Sequence, residues 1–538
     1  MDTLLMAQQL QNITVQAPGF AGINSQDSPI SIDQSFAATA SNCIIDEYGR
    51  VGAREGYIEI STDSSTATQL GTSEGIEAIH EHITRSGAEI VFSAGNNKIF
   101  TGTILLTPIT LPANYVISAN NWKIVSFNND VFFFQRGHAA LHYDTSVQNP
   151  NTHELILAEH SSSSAPAANE VIGAYGRLWA TDVVGDTRTV YWSDTLQGHK
   201  WSGGTSGSLD LTTVFPTGHD EVVALAAHNG FLVIFCKRSI IIYSGAESPA
   251  TMQLHDTVEG VGCVARDSVQ HTGTDILFLS EEGVRSFSRT IQEKSMPMRD
   301  ISNNIRTELT TLVRLEGKPI KSLYSADEAF YLLSLQDGNT IYCFDMRTTL
   351  PDGANRVTTW SGVEPRSMAL LQNGDIYFGR ENGIFKYEGY QDDTASYEMI
   401  YYSNPLSFGN STNLKFLKKF NLTVIGNVAA DTTLVWGYDY GGDFNKKTVN
   451  SGLSNSLTSE YGVSKFGRKE DIDNDNNGIP DEPDYIPAVF TVGTDIQRPK
   501  VNTNGSGTVV TIGIESTIDG APYSIQQIDV HALLGRLI

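Results

Sequence analysis

The chain has 538 residues, 40% of them apolar, and a formal net charge of -25. That length allows two to three domains with sizeable cores and excludes a disordered chain. The acidic balance excludes a general wrapper of nucleic-acid backbone, since phosphate binding needs a basic footprint, but not a passage along which DNA slides without sticking.

The opening residues, MDTLLMAQQLQN, have neither the basic segment nor the apolar core of a secretory leader, so none is expected. No run reaches 18 apolar residues, so no membrane-spanning helix is expected. Residues 1–70 read as an extended arm with first strands. Its segment INSQDSPISIDQSF has few apolar anchors, and DEYGRVGAREG is rich in turn residues. The arm is expected to run along the body that follows and to complete one of its sheets. Arg50 and Arg54 are its candidate interface residues, pairing with carboxylates of the same or a neighbouring subunit.

From residue 70 to 389 a repeat runs through the chain. Phe100, Tyr143, Trp192, Tyr243, Phe287, Phe344 and Tyr387 each end a strand-like segment that is followed by a polar turn, and they recur every 43–57 residues. An apolar run precedes each, such as NDVFFFQRG, GFLVIFCK or AFYLLSLQDG, often with a further strand before it, such as GIEAIHEH or EVVALAAHNG. NG, DG and GN pairs mark hairpins between them. Three or four antiparallel strands at such a period define a β-propeller blade, because one blade cannot bury both faces and neighbours in a ring can. About seven blades are expected.

Helix is scarce. Residues 300–317 are the best candidate, with Ile301, Ile305, Leu309 and Leu312 at helical spacing, Asp300 or Ser302 as the cap, and Gly317 at the end. SSSSAPAAN at 161–169 reads as a surface loop. The four cysteines, at 43, 236, 263 and 343, form no CxxC pair and are expected as buried free thiols.

After Tyr387 the strands lengthen, and residues 390–538 read as a β-sandwich-like domain with an acidic insertion at 465–488. The fold class expected is therefore all-β, a propeller with an additional C-terminal sandwich. In the insertion DIDNDNNGIPDEPD, counting Asp473 as position 1 places Asp475 at 3, Asn477 at 5, Gly478 at 6, Ile479 at 7, Asp481 at 9 and Asp484 at 12. Alternating oxygens around one glycine are the spacing of calcium loops, with the Ile479 carbonyl as a further ligand. A structural Ca2+ is the expected cofactor; magnesium and a plain solvated loop are the alternatives.

No GxSxG, HExxH or GxGxxG appears in a strand–helix context, and no enzyme is expected. Asp144, Asp194, Asp345 and Glu388 follow blade strands and read as turn chemistry. His80 and His82 of IHEH share one strand face with no third ligand adjacent in sequence. Trp122, Trp179, Trp192, Trp201, Trp360 and Trp436 are the aromatics that a ligand pocket would draw on.

Two stretches carry a family likeness. APGFAGINSQDSPISIDQSFAATASNCIIDEYGRVGAREGY at 17–57 and SGTVVTIGIESTIDGAPYSIQQIDVHALLGRLI at 506–538 resemble the tail nozzle, or tail tubular protein B, family of short-tailed bacteriophages. Pro18, Gly19, Asn42, Gly49, Arg50, Arg54 and Gly56 carry most of it, and the likeness covers about seventy residues closely, with only the architecture shared between. The resemblance implies a structural virion protein of the tail. It would form a homo-hexamer below the portal and adaptor proteins, contact tail fibres, and pass viral genomic DNA through a lumen without tight binding. The acidic loop has no counterpart in the family pattern. The alternative is a receptor- or glycan-binding propeller of a tail fibre or surface protein.

Overall fold

The computed structural model describes residues 10–537 except 30, 62–74, 96, 118–120, 145–154, 161–162, 216–217, 294–299, 382, 410–411, 427–430, 442, 451–467, 471–483 and 487–495. Contacts divide the chain into two units. One comprises Ile23–Asp27 and Gly56–Glu388; the other comprises the described residues of Met1–Gly22, Ser28–Glu55 and Gly389–Ile538.

The first unit is the propeller. Its first blade pairs Ile76–Ile83, Glu89–Gly95, Lys98–Thr101 and Thr107–Pro108 in sequence order. Five further four-stranded blades begin at Trp122–Phe127, Ala168–Ala174, Val222–His228, Lys321–Ser325 and Ser367–Leu370. Between the last two of these and the others stands a sheet of three strands, Gln270–His271, Ile276–Ser280 and Gly283–Ser286. The first strands neighbour one another around the ring, and Ser367–Leu370 returns to Ile76–Ile83. Closure comes from the N-terminal side: Tyr57–Glu59 pairs with Ile384–Tyr387 as the outer strand of the last blade. Through this short segment the arm completes a sheet of the propeller.

The repeat markers share one blade position. Phe100, Tyr143, Trp192, Tyr243, Phe344 and Tyr387 lie on third strands, and Phe287 directly follows one; all seven are buried. Second strands are buried along nearly their whole length, as in Phe231–Cys236 and Phe330–Leu335, because a neighbouring blade covers each face. The core therefore lies between blades. Trp179, Val190 and Trp192 of one blade pack on Leu225, Leu232, Ile234 and Ile241 of the next. Each such side chain contributes about 1.5–3 kcal/mol by leaving water.

The three-stranded sheet is followed by helix α1 (Phe287–Glu293) and by α2 (Arg306–Leu315). The second is the helix expected at 300–317, shortened, and its expected caps differ. Asp300 pairs with Arg285 and Arg306, while Ser302 accepts the Val284 N–H, so neither side chain is free to cap. At the other end Glu316 is the C-cap residue, and Gly317, the expected end of the helix, directly follows it. Part of 161–169 is also ordered into sheet: Ser163–Ser164 pairs with Glu159–His160, and Ala168 opens a first strand.

The second unit is a two-sheet sandwich. Ser524–Leu537 is central to one sheet, flanked by Leu10–Gln16, Val51–Ala53 and Asn413–Ile425. The other runs Phe36–Ser41, Tyr397–Ser403, Val510–Ile518, Asp431–Tyr438 and Asn445–Asn450. Ile13, Ile528 and Val530 of the first sheet and Tyr401 and Ile512 of the second close on a gap of only about 10 Å³. The expected division into an arm of 1–70 and a sandwich of 390–538 is corrected here. Most of the arm belongs to the sandwich, because Leu10–Gln16 and Val51–Ala53 satisfy their backbone groups on the last strand of the chain.

Candidate binding site on the propeller

The first strands of the blades end, at one face of the ring, in hairpins built for tight turns. Asn128 and Asn129 both take positive φ (49° and 73°), the pair of left-handed residues that a two-residue hairpin needs. Gly374, at φ 90°, turns the hairpin after Ser367–Leu370. Between these hairpins lies an open depression of about 890 Å³. It spans the ends of four consecutive first strands: Lys321–Ser325, Ser367–Leu370, Ile76–Ile83 and Trp122–Phe127. Its size is at the upper end for sites of small ligands.

One wall is built by alternation. His80 and His82 project from the same face of their strand, and both rings reach the Ser126 hydroxyl, His80 Nε2 at 2.7 Å and His82 Nδ1 at 2.9 Å. The hydroxyl has one proton and two lone pairs, so at most one ring accepts from it and at least one donates to it. Burial, followed by the charges of His82 and Lys123, pushes the His80 pKa down to about 4. Burial also lowers His82. Both imidazoles are neutral near pH 7. The charges in the lining are then the carboxylates Glu81 and Asp327. Glu81 Oε2 accepts the Gln372 N–H at 2.6 Å, tying the first blade to the last.

At the opposite ends of the first strands the axis is filled. Arg266, a buried guanidinium, donates to the Asn169 carbonyl, to Asn121 Oδ1 at 2.8 Å and to Asp267 Oδ2 at 2.8 Å. Lys321 Nζ also reaches Asp267, at 2.8 Å, and Lys123 reaches Glu170 Oε2 at 3.1 Å. Burial opposes the Asp267 charge, yet Arg266, Lys321 and Lys123 together hold its pKa well below the usual carboxylate range. Burial pushes Glu170 up despite Lys123 and Arg266. Arg266 bridges to blades that do not adjoin its own sheet, as does Lys321 through Asn121 Oδ1 at 3.3 Å, so this network plugs the axis of the ring.

The residues singled out by sequence fall elsewhere. Arg50 pairs with Asp46 at 2.6 Å, and Arg54 with Asp392 at 2.7 Å, both inside the sandwich unit. The pairing within one chain, one of the two expected, is what the structure contains. Asp473, Asp475, Asn477, Ile479 and Asp481 lie outside the described residues, and Asp484 starts a short strand paired with Arg468–Glu470. Among the described residues no group of three His, Cys, Asp or Glu is placed to hold a metal ion. Of the tryptophans, five are buried and Trp201 is half-buried, so none offers an exposed platform. All four cysteines are buried thiols outside any disulfide. Asp194 and Asp345 accept backbone N–H bonds from Thr195, Thr205 and Arg347, as turn residues do. The depression itself was not legible as a site: its one sequence signal was the alternating pair His80 and His82.

Fold and depression together define the class: an all-β chain with a β-propeller, one end of whose ring is plugged and the other open. No protein-family model matches the sequence, and no curated protein does. Among solved structures, the extracellular domain of a one-component system from B. thetaiotaomicron is similar, with TM-score 0.41, 11% identity, and 63% of this chain covered. The present chain spans 40% of the length of that relative. An auxiliary nutrient binding protein from Bacteroides thetaiotaomicron has TM-score 0.33 and 10% identity over 62% of this chain and 75% of its own. The WD40 domain of Toxoplasma gondii coronin has TM-score 0.33 and 8% identity over 71% and 86%. At these values neither activity nor partner carries over to the present chain.

Proposed function

We propose that the chain is a binding β-propeller of a receptor- or glycan-contacting protein, on a tail fibre or other surface structure, and not an enzyme. The observation that carries this is the open polar depression over four blade ends, opposite a plugged axis. A blind recess lined by fixed amides, imidazoles and a hydroxyl suits recognition. The test is equilibrium binding of soluble glycans to the whole chain. Saturable binding that a bulky Leu370→Trp substitution abolishes supports the reading, and no saturable binding of any glycan class removes it.

A second reading is a nozzle subunit of a short phage tail, in a hexamer below the portal and adaptor. The specific observation in its favour is that the two stretches resembling that family meet in one sheet: Val51–Ala53 pairs with Ser524–Leu537. Most of both stretches thus falls in the sandwich unit, with Ile23–Asp27 and Gly56–Tyr57 in the propeller unit. In this reading DNA would pass between copies, since the axis of each propeller is filled. Electron microscopy of the native assembly decides it: six copies around a channel at the portal support it, and a monomer in the virion removes it. Submicromolar, salt-sensitive affinity for duplex DNA would also contradict it, because a chain of charge -25 neutralises few phosphates.

A further inference from the structure

We propose that the depression at the hairpin end of the propeller takes an uncharged, hydroxyl-rich ligand, a segment of neutral saccharide chain; the inference rests on the binding reading above and names its ligand class. Three properties of the lining select that class. The first is charge. No Lys or Arg lines the depression, and Glu81 and Asp327 do. A sulfate, phosphate or uronate would meet carboxylates and no cation, losing its hydration without a charged partner. The imidazoles do not supply the missing charge near neutral pH, since burial holds His80 at about 4 and lowers His82.

The second property is the pairing of donors with acceptors. Nine of the eighteen lining residues are polar. Two amide pairs stand on the blades to either side of the Ile76–Ile83 blade, Asn128 with Asn129 on one and Gln372 with Asn373 on the other. A side-chain amide offers a donor and an acceptor at fixed separation, which matches a sugar hydroxyl that both donates and accepts. A purely apolar ligand would strip water from the exposed Gln372 amide and from Asn128 Oδ1, at about 1–3 kcal/mol for each group buried without a new partner.

Preorganisation is the third. Asn128 Nδ2 donates to the Leu196 carbonyl at 3.0 Å, and Asn373 makes both its amide bonds to Asp375, at 2.9 and 3.0 Å. Glu81 holds the Gln372 backbone. The hairpins are thus braced before any ligand arrives, which lowers the ordering cost of binding. Beside the amides the lining also carries apolar side chains: Phe127 is half-buried and Leu370 is 42% exposed. These suit the C–H face of a pyranose ring, whose hydroxyls then project to the flanking amides.

The experiment titrates the full chain, by calorimetry and saturation-transfer NMR, with three probes. They are a mixture of uncharged oligosaccharides (gluco-, galacto-, manno- and N-acetylglucosamine oligomers), sulfated dextran, and spermine. Wild type, Gln372→Ala and Leu370→Trp are compared; both positions are exposed, so neither change threatens the fold. The expected result is saturable binding of an uncharged oligomer with Kd of order 1 mM or tighter. Gln372→Ala should weaken it at least fivefold, Leu370→Trp should abolish it, and melting temperatures should not move. Sulfated dextran or spermine bound in preference, and lost in Leu370→Trp, would overturn the neutral ligand class while leaving a binding propeller. Uncharged binding indifferent to both substitutions would overturn the site. No saturable binding of any probe would overturn this inference and the binding reading together.

Discussion

The guanidinium of Arg54 meets the carboxylate of Asp392 fork to fork, with Nη1 2.8 Å from Oδ1 and Nη2 2.7 Å from Oδ2. Arg54 is 1% exposed. Its Nε donates to Asn42 Oδ1 at 3.0 Å, and its plane lies over the Tyr397 ring. These donors are directed inside the sandwich unit. Removing the cation leaves Asp392 without its charge partner, so Arg54→Ala should cost about 3–5 kcal/mol. Arg54→Lys should recover little, because an ammonium cannot reproduce the planar fork. Chemical denaturation should show the loss in the sandwich transition, and an unchanged midpoint for both variants would refute it.

The plug on the propeller axis makes a parallel prediction for the other unit. Arg266→Met removes the group that joins Asp267, Asn121 and Asn169 and leaves buried carboxylates undercompensated. A loss of about 3–5 kcal/mol is expected. Lys123→Ala should cost less, about 1 kcal/mol, since its side chain is 27% exposed and water screens it. Hydrogen exchange on the second strands reports the propeller separately from the sandwich. Equal protection in Arg266→Met and wild type would show that the network is not what holds the ring.

His80 sets a pH dependence. Its pKa is about 4 in the fold against 6.5 for the free side chain, so between these values the unfolded chain binds the extra proton. Its contribution is complete above pH 6.5 and is lost as pH falls toward 4, at up to about 1.4 kcal/mol per pH unit. Replacing it by Gln should flatten the fall in propeller stability over that window. Parallel pH profiles for wild type and His80→Gln would contradict the assignment.

For the acidic insertion we propose a calcium site formed by Asp473, Asp475, Asn477, Asp481, Asp484 and the Ile479 carbonyl. With Asp484 in place of a longer Glu, weak affinity is expected, of order 10⁻⁴–10⁻³ M. Ion at a hundredfold excess over Kd would add about 2.7 kcal/mol to the state that binds it. Calorimetric titration of wild type against Asp475→Ala checks this, with limited proteolysis of residues 465–488 alongside. Equal heats in both proteins, or a cleavage rate that ignores calcium, would leave an acidic solvated loop.

The second and third strands of the blades were legible because their burial leaves a signature within a few consecutive residues. A strand covered on both faces, such as Ile276–Ser280, needs an unbroken apolar run, and the aromatic that follows in the third strand repeats with the blade. Outer strands were not legible. Gly207–Asp210, half-buried and exposed in alternation, has no apolar signature, and two-residue edges such as Thr107–Pro108 carry no period at all. The caps of the helix at 306–315 were misread for a different reason: Asp300 and Ser302 suit a cap locally, but Arg285, Arg306 and the Val284 N–H engage them first.

By itself the sequence determined the fold class, the blade repeat and the third-strand position of six of the seven marker aromatics, because side-chain alternation and turn chemistry act over a few residues. Tertiary structure alone decided which segments close each unit. Tyr57–Glu59 seals the ring and Leu10–Gln16 joins the last strand, each a choice among many edges with similar hydrogen-bonding capacity. It alone decided the depression as well. His80, Ser126, Asp327 and Gln372 come from four blades, and only ring closure brings them to one face; no spacing along the chain encodes that convergence.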